Sequence, residues 1–289
     1  MALFRPGLWQ DLTRDEIAAA RDQGALVAIP VGAIEQHGSH LPVDTDARIV
    51  TAVTRRAAAQ TSRVPVIVAP TLPVGFSPHH LGHAGTISLR LGTYLAVLGD
   101  MAASVHGAGF GRIVFVNGHG GNSAPLRSKI AELVTEGIPA TGIDYWAPDD
   151  AEWLKLLRGA TKRFGHACEF ETGLMLAVNA GEDGFEHKIL QRTRGLPPHT
   201  WQPWVVPDGH ADAVSDARAA WPPVFQGDDA GYQGDPAAAT PDTGAALLAV
   251  VSKRLAAFFD AFATMPIRCG LTRPGEPPRI SAPLVEPLP

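Results

Sequence analysis

The chain has 289 residues, of which 45% are hydrophobic and 18% are charged, so it can bury the core of one large α/β domain. Its formal net charge of −5, with no basic stripe, argues against nucleic acid as the main partner. The two cysteines are far apart, and no signal peptide or membrane-length apolar run is present, so we expect a cytoplasmic protein with no disulfides and no membrane partner.

Apolar runs and helical periods alternate through the first part of the chain. Thr13 is expected to cap a first helix, with Glu16 three residues later. The predicted strands are 25–31, 64–69, 112–116 and 140–145, and the predicted helices are 45–59, 91–106, 125–136, 171–179 and 242–263. This order favours one mostly parallel sheet with helices on both faces, whose strand carboxyl ends share one edge.

The later part of the chain breaks this pattern. We expect residues 1–265 to form a single domain, within which residues 181–241 are a long irregular excursion over the surface. Residues 266–289 form a Pro-rich tail with no helix or strand signal, expected to lie extended or to fray.

A first polar cluster begins where the first predicted strand ends. Glu35 and His37 are two residues apart, so they project to the same side of an extended chain, and Asp44 and Asp46 repeat that spacing before a helix. Imidazole with carboxylate and no thiolate suits a catalytic Zn, Mn or Fe site. The alternative is a polar loop in which Asp44 or Asp46 only caps the helix.

A second cluster, NGHGGN at residues 117–122, follows the third predicted strand. Its glycines allow a sharp turn and a close approach to a ligand, and His119 reaches the same sheet edge as the first cluster. A phosphate-binding loop is the alternative, although the Lys-Ser/Thr of a P-loop is absent.

A third cluster runs from His166 to Gly173 and leads into an apolar helix. Glu171 is a candidate ligand, or only a favourable charge in the first turn of that helix. Cys168, with His166 as its base, is an alternative nucleophile.

Three further histidines occur between residues 75 and 86, after a predicted strand. Each is a possible ligand, a substrate contact or a solvated loop residue. Our candidate substrate contacts, here and elsewhere, are Ser77, His83, Gly120, Gly121 and Trp146.

In this order the clusters resemble those of the creatininase (creatinine amidohydrolase) family. The matching stretches are IPVGAIEQHGSHLPVDTD at 29–46, GTISL at 85–89, NGHGGN at 117–122 and HACEFET at 166–172, with a weaker echo at 234–244. The resemblance spans about residues 9–262. It implies a three-layer α/β/α sandwich, two divalent metal ions per chain (Zn, Mn or Fe), a small amide substrate and a homo-oligomer, often a hexamer.

The resemblance also suggests roles for individual residues. Glu35 and His119 would bind one metal, His37 the other, and Asp46 would bridge them. His166 matches a histidine near the substrate and is a candidate proton donor, and Trp146 looks like a tryptophan that covers the pocket. Hydrolysis of a cyclic or linear amide by a hydroxide that bridges the metals is then expected.

One position departs from the family pattern. Creatininases carry a glutamate ligand where this chain has Gly121, and Glu171 is our candidate replacement, in both a ligand and a catalytic role. The change weakens the case for creatinine itself. A formamide or peptide-type amide and a metal-binding relative without turnover stay open as alternatives.

Overall fold

A five-stranded parallel sheet forms the centre of the protein. The structure is a computed structural model and describes residues 7–147, 150–160, 165–199, 225, 227 and 229–286. The strand order is β1-β3-β2-β4-β5, and every neighbouring pair is parallel. The strands are β1 (Gly7–Leu8), β2 (Leu26–Val31), β3 (Val66–Val68), β4 (Ile113–Asn117) and β5 (Ala140–Asp144).

Helices cover both faces of this sheet, as the sequence predicts. They are α1 (Arg14–Asp22), α2 (Thr45–Ala58), α3 (Leu91–Gly107), α4 (Ser123–Glu136), α5 (Asp150–Leu154), α6 (Glu169–Val178), α7 (Phe185–Thr193) and α8 (Pro241–Thr264). Thr13 caps α1 in a capping box with Glu16. None of the described helices is long and apolar enough to cross a membrane.

Alternate side chains of the central strands enter two separate cores. Val114 and Val116 of β4 join a core with α2, α6 and α8, whereas Ile113 and Phe115 join a second core with α3 and α4. Because successive strand residues point to opposite faces, a fully apolar strand can serve both layers. The result is a three-layer α/β/α sandwich, as the resemblance implies.

Helix α6 is packed unusually tightly against α8. A side chain at Gly244 would place its Cβ only 1.9 Å from the carbonyl oxygen of Gly173. The paired glycines let the two backbones touch, and this contact fixes the helix whose first turn carries Glu171.

The region that we predicted to be irregular contains a helix. Helix α7 lies within residues 181–241. It buries Ile189 and Thr193, and its Phe185 and Leu190 pack partly buried against the core. Its nine residues give too few apolar repeats to stand out against the surrounding Gly and Pro. Residues 200–224 of the excursion lie outside the described part of the chain.

The Pro-rich tail is also more ordered than we predicted. It forms two short antiparallel strands, β6 (Ile267–Arg268) and β7 (Ile280–Ser281), and it folds back onto the domain. The buried guanidinium of Arg112 donates to the carbonyl oxygens of Met265 at 2.8 Å and Ala282 at 2.7 Å, and to Ser281. The buried charge of Arg112 therefore holds the tail, a segment whose sequence has no helical or strand periodicity, against the domain.

We expect Arg112→Met to lower the free energy of unfolding by about 3 kcal/mol, because the carbonyl oxygens that this buried guanidinium binds lose their donor. The measurement is the urea unfolding curve. Arg273→Met, in the exposed part of the same tail, is the matched control and should change the curve little. Equal curves for the two variants would contradict this role of Arg112.

Candidate metal centre

The predicted ligands meet at the carboxyl edge of the sheet. Glu35 and His37 follow β2, His119 follows β4, and Asp46 and Glu171 lie in the first turns of α2 and α6. All five side chains are buried. Four separate segments therefore deliver polar groups to one interior point, a costly arrangement unless those groups bind something.

Asp46 is shared by two ligand groups. Glu35, Asp46 and His119 form one group, and His37, Asp46 and Glu171 form the other; within each group the candidate ligand atoms lie within 4.8 Å of one another. A third group joins Glu35, His37 and His166. The sequence-predicted residues are thus brought together with Asp46 at the centre.

Hydrogen bonds orient the two ligand histidines. His37 donates from Nδ1 to the backbone oxygen of Glu35 at 3.1 Å, and its Nε2 faces Asp46 at 3.1 Å. His119 turns Nε2 toward the carbonyl oxygen of Phe76 at 3.3 Å, and its Nδ1 lies 3.2 Å from Asp46 Oδ2. Anchoring one nitrogen to a carbonyl leaves the other nitrogen free to bind a cation.

Several carboxylate oxygens in this cluster lack a hydrogen-bond donor. Both oxygens of Glu35 and Oδ2 of Asp46 are buried and make no hydrogen bond of good geometry, although Glu35 Oε1 and Asp46 Oδ2 each lie 3.2 Å from His119 Nδ1. A buried carboxylate is normally paired or metal-bound. Orphaned oxygens next to oriented imidazoles fit a divalent cation.

The charges of the cluster shift its pKa values. Burial lowers the pKa of His37, but Asp46, Glu171 and Glu35 outweigh it and raise that pKa to about 10. Burial also lowers the pKa of His119, and Glu35 and Asp46 raise it well above its usual value. Burial raises the pKa of Glu171 to about 8, although His37 acts in the opposite direction. In the metal-free protein these groups hold protons at neutral pH.

The NGHGGN loop is built around its two asparagines. Asn117 accepts from the His119 amide at 3.1 Å and donates to the His119 carbonyl at 2.7 Å. Asn122 accepts from the Phe76 amide at 2.9 Å and donates to Gly32 at 3.0 Å. These bonds hold three loops of the sheet edge in place around His119.

Gly121 has no room for a side chain. A Cβ there would lie 2.4 Å from His119 Nε2 and 2.6 Å from the Phe76 carbonyl oxygen. A glutamate therefore does not fit at this position, and Glu171 Oε2 instead lies 3.8 Å from His37 Nε2. The adjacent Gly120 is exposed and has open space around its Cα.

His80, which contacts Gln36, is a part of the site that our sequence analysis did not single out. Gln36 Nε2 lies 3.0 Å from His80 Nδ1, and His80 Nε2 lies 3.3 Å from Glu35 Oε1. The ring of Phe225 stacks on His80 at 4.4 Å. The three histidines within residues 79–83 were the available signal, but their spacing does not indicate which one points inward.

His166 lies against this group with a defined tautomer. Its Nε2 lies 2.6 Å from the Gln36 backbone carbonyl oxygen, which can only accept, and 3.0 Å from the Gln36 side-chain nitrogen. The shorter contact favours the proton on Nε2, so Nδ1 carries the lone pair and faces Glu35 Oε1 at 3.4 Å. Burial, followed by His37 and His80, lowers the pKa of His166 well below its usual value. It is therefore neutral at neutral pH.

Two alternatives from the sequence find no support in the geometry. Cys168 is buried, and burial followed by Glu171 raises its pKa to about 12, so a reactive thiolate is not favoured. The Asp44 carboxylate makes no cap to α2 and instead pairs with Arg48 at 2.8 Å.

The candidate substrate contacts occupy different positions. Ser77 is fully buried, and its hydroxyl lies 3.2 Å from His119 Nε2, so it supports that ring. His83 is partly exposed and lies 3.0 Å from Asp229. Trp146 is half-buried beside Tyr145, with ring centroids 5.1 Å apart.

The fold and the buried cluster define an α/β protein with candidate metal-ligand groups at the carboxyl edge of its sheet. Residues 10–259 match the family model described as creatininase, creatinine amidohydrolase, and the chain belongs to this family. The chain is 36% identical over 159 residues to a mycofactocin precursor peptide peptidase of Mycobacterium ulcerans, covering 53% of this chain and 58% of that relative. It thus spans little more than half of that relative's length.

The chain is also similar to a creatinine amidohydrolase and to solved structures of creatininase. A creatinine amidohydrolase of Pseudomonas putida is 30% identical over 213 residues, covering 68% of this chain and 79% of the relative. A crystal structure of creatininase superposes with a TM-score of 0.71 at 25% identity, covering 88% of this chain and 96% of that one. A mutant creatininase described as the Zn-Zn type has a TM-score of 0.68 at 26% identity and covers 89% and 98%.

We expect Gly121→Ala to lower the free energy of unfolding by about 1–3 kcal/mol, because its Cβ would push against the His119 ring and the Phe76 carbonyl. Gly120→Ala is the matched control, since a Cβ there meets no atom within 4 Å. Thermal unfolding of the two variants checks this. A Gly121→Ala protein as stable as the control would show that the loop has room after all.

Proposed function

We propose that the protein is a hydrolase of amide C–N bonds that works with two divalent metal ions. The observation that carries this proposal is the position of Asp46, shared by two buried ligand groups whose carboxylate oxygens lack donors. Glu35 and His119 would hold one ion, His37 and Glu171 the other, and Asp46 both. Imidazole and carboxylate ligands suit Zn first, with Mn or Fe as alternatives.

Bound ions would lower the pKa of a water nucleophile and polarise the substrate carbonyl. The chain's own task is then to move a proton. Neutral His166 can accept the water proton at Nδ1 while Nε2 stays anchored to the Gln36 carbonyl. As the C–N bond breaks, His166 returns that proton to the leaving nitrogen, giving an amine and a carboxylic acid, which then loses its remaining proton to water.

An open-chain amide of the peptide type is the substrate class that we favour. The sequence analysis kept a peptide-type amide as an alternative to a small cyclic or linear amide. The peptide peptidase relative is more identical to this chain, at 36%, than the creatinine amidohydrolase, at 30%. Gly121 also cannot be replaced by the glutamate that creatininases carry without a clash with His119.

A small cyclic amide is the second candidate. The observation in its favour is the breadth of the likeness to creatininases, since the superposed structure covers 88% of this chain. Short peptides and five-membered cyclic amides, assayed in parallel with the same metal, distinguish the two classes.

We predict that two variants lose activity in that assay but differ in metal content. Asp46→Ala should lose metal and activity together, because both ions lose a ligand. His166→Ala should keep its metal and lower kcat by about 10²–10⁴-fold, the usual contribution of a positioned proton carrier. Asp44→Ala, which removes only the half-exposed pair with Arg48, is the control and should retain both properties. Hydrolysis by metal-free Asp46→Ala would refute the mechanism.

Metal binding should also release protons. The pKa of His37 is raised to about 10, that of Glu171 to about 8, and that of His119 well above its usual value. Because these groups bind metal only when deprotonated, loading at pH 7 should release about two to three protons per chain. Apparent affinity should therefore rise between pH 6 and 8.

Calorimetric titration of the metal-free protein in buffers of different ionisation enthalpy measures this number. A binding enthalpy that is independent of the buffer would mean that no protons are released and that the ligands are not these groups.

A further inference from the structure

The turn that carries His166 has a strained residue at its centre. Ala167 has a φ of +51° and is the non-glycine residue with a positive φ in the described part of the chain. An L residue with a side chain is disfavoured in this left-handed region unless its surroundings hold it there. Ala167 is also fully buried, so any relaxation must move its neighbours.

Two proposed functional groups depend on this one residue. The Ala167 amide donates to Glu171 Oε2 at 2.5 Å, which orients the carboxylate toward His37. The preceding residue is His166 itself. The conformation of Ala167 thus sets both where the proton carrier sits and how a ligand carboxylate is turned.

Two contacts hold the turn from outside. His166 and Gln233 are joined by a backbone and a side-chain hydrogen bond, at 2.8 and 3.0 Å. On the other side, Nε2 of His40 lies 3.0 Å from the Ala167 carbonyl oxygen. Because a carbonyl can only accept, this nitrogen carries the proton and donates.

The His40 ring also packs edge-on against Tyr232, with ring centroids 5.7 Å apart. It is fully buried, belongs to none of the candidate ligand groups, and its Nδ1 makes no hydrogen bond. Burial lowers its pKa to about 4, so it is a neutral donor at neutral pH. Its Nε2 also lies 3.2 Å from the Thr172 hydroxyl, next to Glu171.

We propose that His40 is a positioning residue: its Nε2–H holds the Ala167 carbonyl, keeps the turn left-handed, and so places His166 and Glu171 against the metal centre. The segment that supplies His37 as a ligand would then also fix the turn that carries His166 and Glu171, through His40 three residues later. This inference rests on the proposed function, because that function gives His166 and Glu171 their roles.

The test combines removal of the donor with relief of the strain. His40→Leu should lower the affinity for the ion held by His37 and Glu171 by about 10–100-fold, the usual effect of losing a partner of a metal ligand. It should lower kcat by a similar factor and leave KM nearly unchanged. Adding Ala167→Gly should restore at least a third of the lost affinity, because glycine adopts a positive φ without strain. Chelator competition measures each affinity independently of activity.

Two further variants exclude trivial explanations. His40→Gln retains an N–H donor and should keep more affinity for the ion held by His37 and Glu171 than His40→Leu does. If His40→Leu does not fold, the comparison of His40→Gln with the wild type still tests the proposal. Leu255→Ala, in the buried core of α8, should lower stability without changing metal affinity.

The outcomes separate the two proposals. A wild type that binds two metals and a His40→Leu protein that binds them equally well would overturn the role of His40 and leave the proposed function intact. A double variant no better than His40→Leu would overturn it as well. A wild type that binds no metal would overturn both.

Discussion

Buried negative charge without enough donors is the constraint around which this molecule is organised. Glu35, Asp46 and Glu171 converge inside the protein, and three of their oxygens have no hydrogen-bond donor. Like charges at this separation in a low-dielectric interior repel strongly. Protons on His37 and His119 compensate for them in the metal-free protein, and divalent cations would do so better because they also satisfy the orphaned oxygens.

Close backbone approach makes this convergence possible. Gly118 lies so near α2 that a Cβ would be 2.6 Å from Val50 and 3.0 Å from the Asp46 carbonyl oxygen. Because Gly118 and Gly121 have no side chains, the loop after β4 can place His119 next to the first turn of α2, which contains Asp46. The glycines of the NGHGGN motif are needed for space as much as for flexibility.

The sequence predicted the parts of the fold that follow from hydrophobic period. Strands β2, β4 and β5 and helices α2, α3 and α8 lie where apolar runs and helical repeats place them, within a residue or two. Helix α7 and the short strands of the tail have no signal in the sequence, for physical reasons. The first is too short for its period to stand out, and the second is held by the long-range donor Arg112, which no local pattern reveals.

The ligand cluster was also accessible from sequence, because carboxyl ends of parallel strands share an edge and Glu35, His37 and His119 follow two of them. The inward orientation of His80 and the clamp on Ala167 were not. Both depend on contacts between residues distant in the chain, such as Gln36 with His80 and His40 with Ala167. Side-chain direction at such points is decided by packing and not by spacing.

The central claim is that the shared Asp46 holds a pair of divalent ions. Elemental analysis of the purified wild-type protein, before and after incubation with Zn, Mn or Fe, tests it most directly. The account predicts about two equivalents of one of these metals per chain. Less than half an equivalent after every incubation would contradict it and leave the buried carboxylates to be explained by protonation alone.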